Sequence, residues 1–149
     1  MALVDTVRSL LSTKGNAVWA LSPDATMYDA ISLMALKGVG ALLVMSGRKI
    51  EGIISERDYA RKVILQGRSS KETLLREVMS TPVFTVTPDH TVDECMHIVT
   101  ERRIRHLPVV EGGEVIGIVS IGDLVRSIIS SQAATIDQLH RYISGKYPG

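Results

Sequence analysis

Two short stretches of this sequence carry a hydroxyl followed three residues later by a carboxylate, each directly behind an aliphatic run: Ser55-Glu56-Arg57-Asp58 and Ser120-Ile121-Gly122-Asp123. A hydroxyl at the end of a strand and an acid in the first turn of the next helix can close a capping box, with nothing further implied. The same placement can hold a ligand. A helix start offers free N–H groups and a partial positive charge, which favour phosphate. A carboxylate beside it can accept two charge-assisted hydrogen bonds from a ribose diol. Gly52 and Gly117 stand three residues before the serines. A cap does not need that glycine, whereas a position without a side chain lets a backbone or a flat ring approach. With this recurrence the two readings stand level.

Other reactive types are poorly arranged. The histidines are His90, His97, His106 and His140, without His-x-x-x-His spacing, and Cys95 is the single cysteine. That excludes an internal disulfide framework and a multi-cysteine zinc site. His97 lies four residues after Asp93 and reads as a solvated helical pair. Cys95 reads as a packed thiol, and Met27, Met34, Met45, Met79 and Met96 as core filling. Gly38-Val39-Gly40 follows a helix and precedes a strand, the reverse of the order that sets phosphate on a helix start. Arg102, Arg103 and Arg105 form a basic cluster that suits a solvated face or a phosphate. With no nucleophile–base set, no enzyme is expected and no catalytic or metal residue is assigned.

The elements that must position the paired motifs come from a repeat. Ser22–Ile64 overlies Thr87–Ile129 without a gap at a shift of 65 residues, and 12 of the 43 pairs are identical. Each copy reads β-α-β-β-α. An entry strand (Ala17–Leu21; Val83–Val86) stops at the following proline. Thr26 with Asp29, and Thr91 with Glu94, have capping-box spacing and predict helices running to about Lys37 and Arg102. Strands Ala41–Met45 and Ile50–Ser55, then His106–Val110 and Val115–Ser120, are joined by glycine turns. Leu42–Val44 and Ile116–Val119 are expected to be buried on both faces. A second helix begins after Ser55 and after Ser120. The fold class is α/β (α+β), two repeats packed about a pseudo-twofold axis with ligand clefts where strand ends and helix starts meet.

The predicted organisation is an N-terminal helix in 1–15, repeats in 16–66 and 81–131, a linker helix in 67–80 signalled by Ser69, Ser70 and Glu72, and a C-terminal helix or tail in 132–149. In the tail, Thr135 with Gln138 forms a capping box and Gly145 a stop. The helix Met27–Lys37 sets Ile31, Met34 and Ala35 on one side. Two repeats alone cannot cover all such faces, so a homodimer is expected.

Composition sets the outer bounds. The 149 residues are 45% hydrophobic and 22% charged, with 16 Val and 14 Ile against one Trp and one Phe, which favours buried strands. A net charge of +1 argues against nucleic-acid binding through a basic surface. No apolar run approaches the ~18 residues of a membrane span. Met1–Gly15 reads as an amphipathic helix rather than a transit peptide, giving a cytoplasmic expectation.

Gly52-Ile53-Ile54-Ser55-Glu56-Arg57-Asp58, Gly117-Ile118-Val119-Ser120-Ile121-Gly122-Asp123 and Ile104-Arg105-His106-Leu107-Pro108-Val109-Val110 resemble the cystathionine-β-synthase-type (CBS) domain. Two in tandem resemble a CBS pair, or Bateman module, over roughly Asn16 to Ser131. The resemblance implies a stand-alone regulatory module that binds adenosine-containing ligands (AMP, ADP, ATP, S-adenosylmethionine or, in some members, NAD(H)), requires no cofactor and signals to a separate target protein. It implies ribose binding by Asp58 and Asp123 beside Ser55 and Ser120, and phosphate contacts from Arg105 and His106. Adenine would be read by backbone at Val39, Gly40, Ala41 and His106–Pro108, with walls near Trp19, Ala20 and Thr85. Gly40-Ala41 stands where the second copy has Arg105-His106, and Arg57 stands opposite Gly122. The clefts are therefore expected to be unequal, the second being tighter for phosphate. A structural or protein-interaction pair without a nucleotide is the alternative.

Overall fold

The computed structural model describes residues 5–131; the expectations placed on Thr135, Gln138 and Gly145 lie outside the described residues. In chain order the elements are α1 (Val7–Lys14), β1 (Ala20–Leu21), α2 (Met27–Lys37), β2 (Ala41–Ser46), β3 (Lys49–Ser55), α3 (Glu56–Asp58), α4 (Leu75–Val78), α5 (Val92–Arg102), β4 (His106–Glu111) and β5 (Glu114–Ser120). Residues 121–131 form a further helix, α6. They belong to two compact units, one of residues 17–85 with 112–116, the other of residues 5–16, 86–111 and 117–131.

The first unit is a three-stranded sheet, order β1-β2-β3, with β1 parallel and β3 antiparallel to β2. Leu42, Leu43 and Val44 are fully buried, as the unbroken aliphatic run predicts. Against Leu42 and Val44 pack Met27, Ala30 and Met34 of α2, Val63, and Leu75 of α4. Burying each of the larger side chains is worth roughly 1.5–3 kcal/mol. Both long helices start where the threonines predict. Thr26 Oγ1 accepts the Asp29 N–H at 3.1 Å while Asp29 Oδ2 accepts the Thr26 N–H at 3.1 Å. Thr91 and Glu94 repeat the exchange at 3.0 and 2.8 Å. Helix α2 ends on Gly38 at φ 67°; α5 ends in the same left-handed conformation on Arg103 at φ 54°, where no glycine is available.

Strands β4 and β5 form the hairpin that the second repeat predicts. In the second unit, α1 is tied down through its backbone: Val7 N–H donates to His90 O at 2.8 Å, Arg8 N–H to Pro88 O at 3.0 Å, and Val92 N–H to Asp5 O at 2.8 Å. Val7 and Leu11 are buried.

Several local expectations are corrected. The first entry strand shrinks to Ala20–Leu21, and the second to a single parallel bridge of Val86 with Val109. The linker helix is Leu75–Val78, beyond Ser69 and Ser70. Ser69 O is instead taken by Thr73 Oγ1 and by the Glu72 N–H, which makes a turn, and Glu77 Oε2 reaches back to the Leu74 N–H at 2.8 Å to start the helix. Ala35 is exposed, because the buried stripe of α2 is Met27, Ala30 and Met34. Ile116 and Ile118 are only half buried. After α3 the chain continues as a π-helix, Tyr59–Ile64, with Leu65 N–H bonded to Ala60 O.

Candidate functional site

In the first unit, Ser55 closes β3 and caps α3. Its N–H donates to Asp58 Oδ2 at 2.9 Å, and its hydroxyl donates to the same oxygen at 3.0 Å while accepting the Asp58 N–H at 3.2 Å. The capping reading is therefore realised here. Asp58 is 8% exposed, and its carboxylate has further partners. Its Oδ1 accepts the Ser80 hydroxyl at 3.0 Å and lies 3.1 Å from Lys62 Nζ, which also donates to Val78 O at 3.0 Å.

The second unit repeats the box with different company. Ser120 N–H donates to Asp123 Oδ2 at 2.8 Å, and Ser120 Oγ accepts the Asp123 N–H at 3.2 Å. Lys14, at the C-terminal end of α1, places Nζ 2.6 Å from Oδ2 and 2.5 Å from Ile118 O. Arg126 Nη2 donates to Oδ1 at 2.6 Å. Burial pushes the Asp123 carboxyl upward, but the Lys14 hydrogen bond and charge, with the Ser120 N–H, outweigh it and hold the group below the usual carboxylate range.

Each helix start is also pinned to the start of its own β-hairpin. Glu56 N–H donates to Gly40 O at 3.1 Å, and Ile121 N–H to Arg105 O at 2.8 Å. Ala41 lies opposite Ser55 in the β2–β3 register. The structure thus gathers Gly40, Ala41, Ser55 and Asp58 in one unit and Arg105, His106, Ser120 and Asp123 in the other. Val39 is half-buried before β2, and Ala20 pairs with Leu43. Trp19 hands its carbonyl to the Leu43 N–H, and its ring carries Lys37 Nζ at 4.2 Å from the centroid. Arg57 and Thr85 are exposed; Pro108 is buried, its carbonyl accepting the Val86 N–H.

The glycines are explained differently from the sequence expectation. A Cβ on Gly52 would lie 2.8 Å from Met79 Sδ and 3.0 Å from Ser80 O, and one on Gly117 would lie 2.8 Å from a Leu11 methyl. The missing side chains make room for the protein's own α4 and α1 segments. Lys14, Lys62, Ser80 and Arg126 are the site residues that sequence reasoning missed. Two left a local trace: Arg126, an identity between the repeats three residues after Asp123, and Lys62, four residues after Asp58. Elsewhere, Cys95 is buried and Asp93–His97 is an exposed pair at 3.7 Å, both as the sequence suggests. Among the described residues there is no cluster of three His, Cys, Asp or Glu side chains able to hold a metal. None of the described helices is long and apolar enough to cross a membrane.

A model of the CBS domain matches residues 7–64 and 75–130. The chain belongs to the CBS-domain family. CBS domain-containing protein CBSX3, mitochondrial, from Arabidopsis thaliana is 42% identical over 141 residues, covering 91% of this chain and 68% of that protein. A CBS-domain protein of Burkholderia ambifaria MC40-6, proposed there for signal transduction, matches at 52% identity with a TM-score of 0.81 over 85% of this chain and 96% of its own. The CBS pair of protein MJ0100, solved in complex with 5′-methylthioadenosine and S-adenosyl-L-methionine, shares the fold at 22% identity and a TM-score of 0.76, covering 86% of this chain and 98% of its own. The names of these CBS proteins state no enzymatic activity.

Proposed function

We propose that this CBS pair is a non-enzymatic, cytoplasmic, homodimeric sensor that binds an adenine nucleotide at Ser55–Asp58 and Ser120–Asp123 and signals to a separate protein. The observation that carries the reading is the duplicated carboxylate, buried to the same degree in both repeats and aimed by a serine N–H at a helix start. A ribose diol is the natural partner for two adjacent acceptor oxygens in that setting. That the CBS pair of MJ0100 holds adenosine derivatives supports the ligand class. Arg105, His106, Arg57, Trp19, Ala20, Thr85, Val39, Gly40, Ala41 and Pro108 are proposed to contact phosphate or adenine, with AMP the first ligand to try and ADP, ATP and NAD(H) next.

A second reading is favoured by the same bonds. Both carboxylates already close a capping box and have internal partners, which fits a partner-binding pair that takes no nucleotide. Thermal unfolding of Asp58→Ala and Asp123→Ala with and without AMP separates the two. Pure caps would lose about 0.5–2 kcal/mol of apo stability while keeping the ligand-induced shift. Ribose-binding carboxylates would lose the shift itself, affinity falling by roughly 1.5–3 kcal/mol.

A further inference from the structure

Asp123 carries two cations. Lys14 and Arg126 flank a single carboxylate, leaving a local charge of +1, whereas Asp58 has one cation and two hydroxyls. Lys14 also takes Ile118 O, so the atoms a neutral diol would need are already engaged by an ammonium. A diol that displaces Lys14 strands that cation unless the ligand brings an anion. The lysine side chain, 32% exposed at the end of α1, has a flexible four-carbon stem on which to move to one.

Resting on the adenine-nucleotide reading of this site, we propose that Lys14 is its specificity-determining residue: it competes with neutral nucleosides for Asp123 and re-pairs with the phosphate of a nucleotide. The N-terminal helix thereby sets the ligand class of the second repeat. Phosphate preference at this site then arises from Lys14 in addition to any contact from Arg105 and His106. The first repeat differs in lacking the second cation: Asp58 pairs with Lys62, a lysine of its own repeat, beside the neutral Ser55 and Ser80 hydroxyls.

The test is titration of wild type and Lys14→Met with adenosine and with AMP. Methionine keeps an apolar stem of similar length for packing. Adenosine should bind the variant about tenfold tighter and AMP about tenfold weaker, opposite signs for one substitution and the size expected of one charge-assisted hydrogen bond made or broken. In wild type, amine labelling read by mass spectrometry should show Lys14 more reactive with adenosine bound and still protected with AMP bound. Equal changes for both ligands, or Lys14 labelling indifferent to both, would overturn the role of Lys14 while leaving the site intact. Failure of wild type and variant alike to bind either ligand would remove the nucleotide site and this inference with it.

Discussion

Ser80 donates its hydroxyl to Asp58 Oδ1 at 3.0 Å although 22 residues separate them in the chain. It is delivered there by backbone, through a reciprocal exchange with Ile53 at 3.1 and 2.8 Å that lays the segment after α4 along β3. Ser80→Ala should cost about 0.5–1.5 kcal/mol in a denaturant titration, toward the low end because the serine is exposed. A larger loss would mean that the backbone exchange had failed as well.

The two strand glycines should not respond alike. A methyl on Gly52 meets the Met79 side chain and the Ser80 carbonyl, which is fixed backbone; a methyl on Gly117 meets only the Leu11 side chain, its methyl ends first. Gly52→Ala is expected to cost about 1–3 kcal/mol, as overpacking does, and Gly117→Ala less. Paired urea melts decide it, and a reversed order would show that the Ser80 segment yields more easily than Leu11.

Acid should loosen the second unit through Asp123. Its folded pKa lies below the unfolded value of about 3.9, so its contribution is fully present above that pH and is lost as pH falls through the folded value. Asp123→Asn should be less stable at pH 7 by about 1 kcal/mol, a modest figure because Lys14 and Arg126 can still reach water. It should also show a shallower fall in stability between about pH 5 and pH 2. Parallel wild-type and variant curves over that window would count against the pairing.

Cys95 should be silent in the native protein. Burial, with Glu94 nearby, raises its thiol to about 11. At pH 8 only about one molecule in a thousand would then carry a thiolate. Reaction with an aromatic disulfide reagent should proceed at the rate of protein opening and become immediate in urea. Fast native labelling would place the thiol at the surface instead.

Local chemistry is readable from the residues, and long-range company is not. Thr26 with Asp29, and Thr91 with Glu94, mark two helix starts because each capping box is written within four residues. Ser55–Asp58 and Ser120–Asp123 are visible for the same reason. Lys14, however, comes 109 residues before the carboxylate it pairs with, and no local spacing announces such a contact. Gly52 and Gly117 stand out in the sequence but suggest the wrong neighbour, since only the packed α4 and α1 segments reveal what fills the space. Ser69 and Ser70 mislead because short polar side chains suit turns and helix caps equally well. The π-helical turn after Asp58 has no pattern of its own; the repeat, aligned without a gap, hides it.

The anchoring of α1 has a consequence for how the chain is made. Its backbone partners, Pro88 and His90, are synthesised long after Val7 and Arg8 have left the ribosome. Loop closure over that distance is slow although its added entropic cost grows only logarithmically. During translation the apolar side of this helix, Val7 and Leu11, must wait uncovered while an entire sheet is completed behind it. A ribosome that stalls before Asp123 releases a chain whose Lys14 lacks the carboxylate it pairs with in the folded protein.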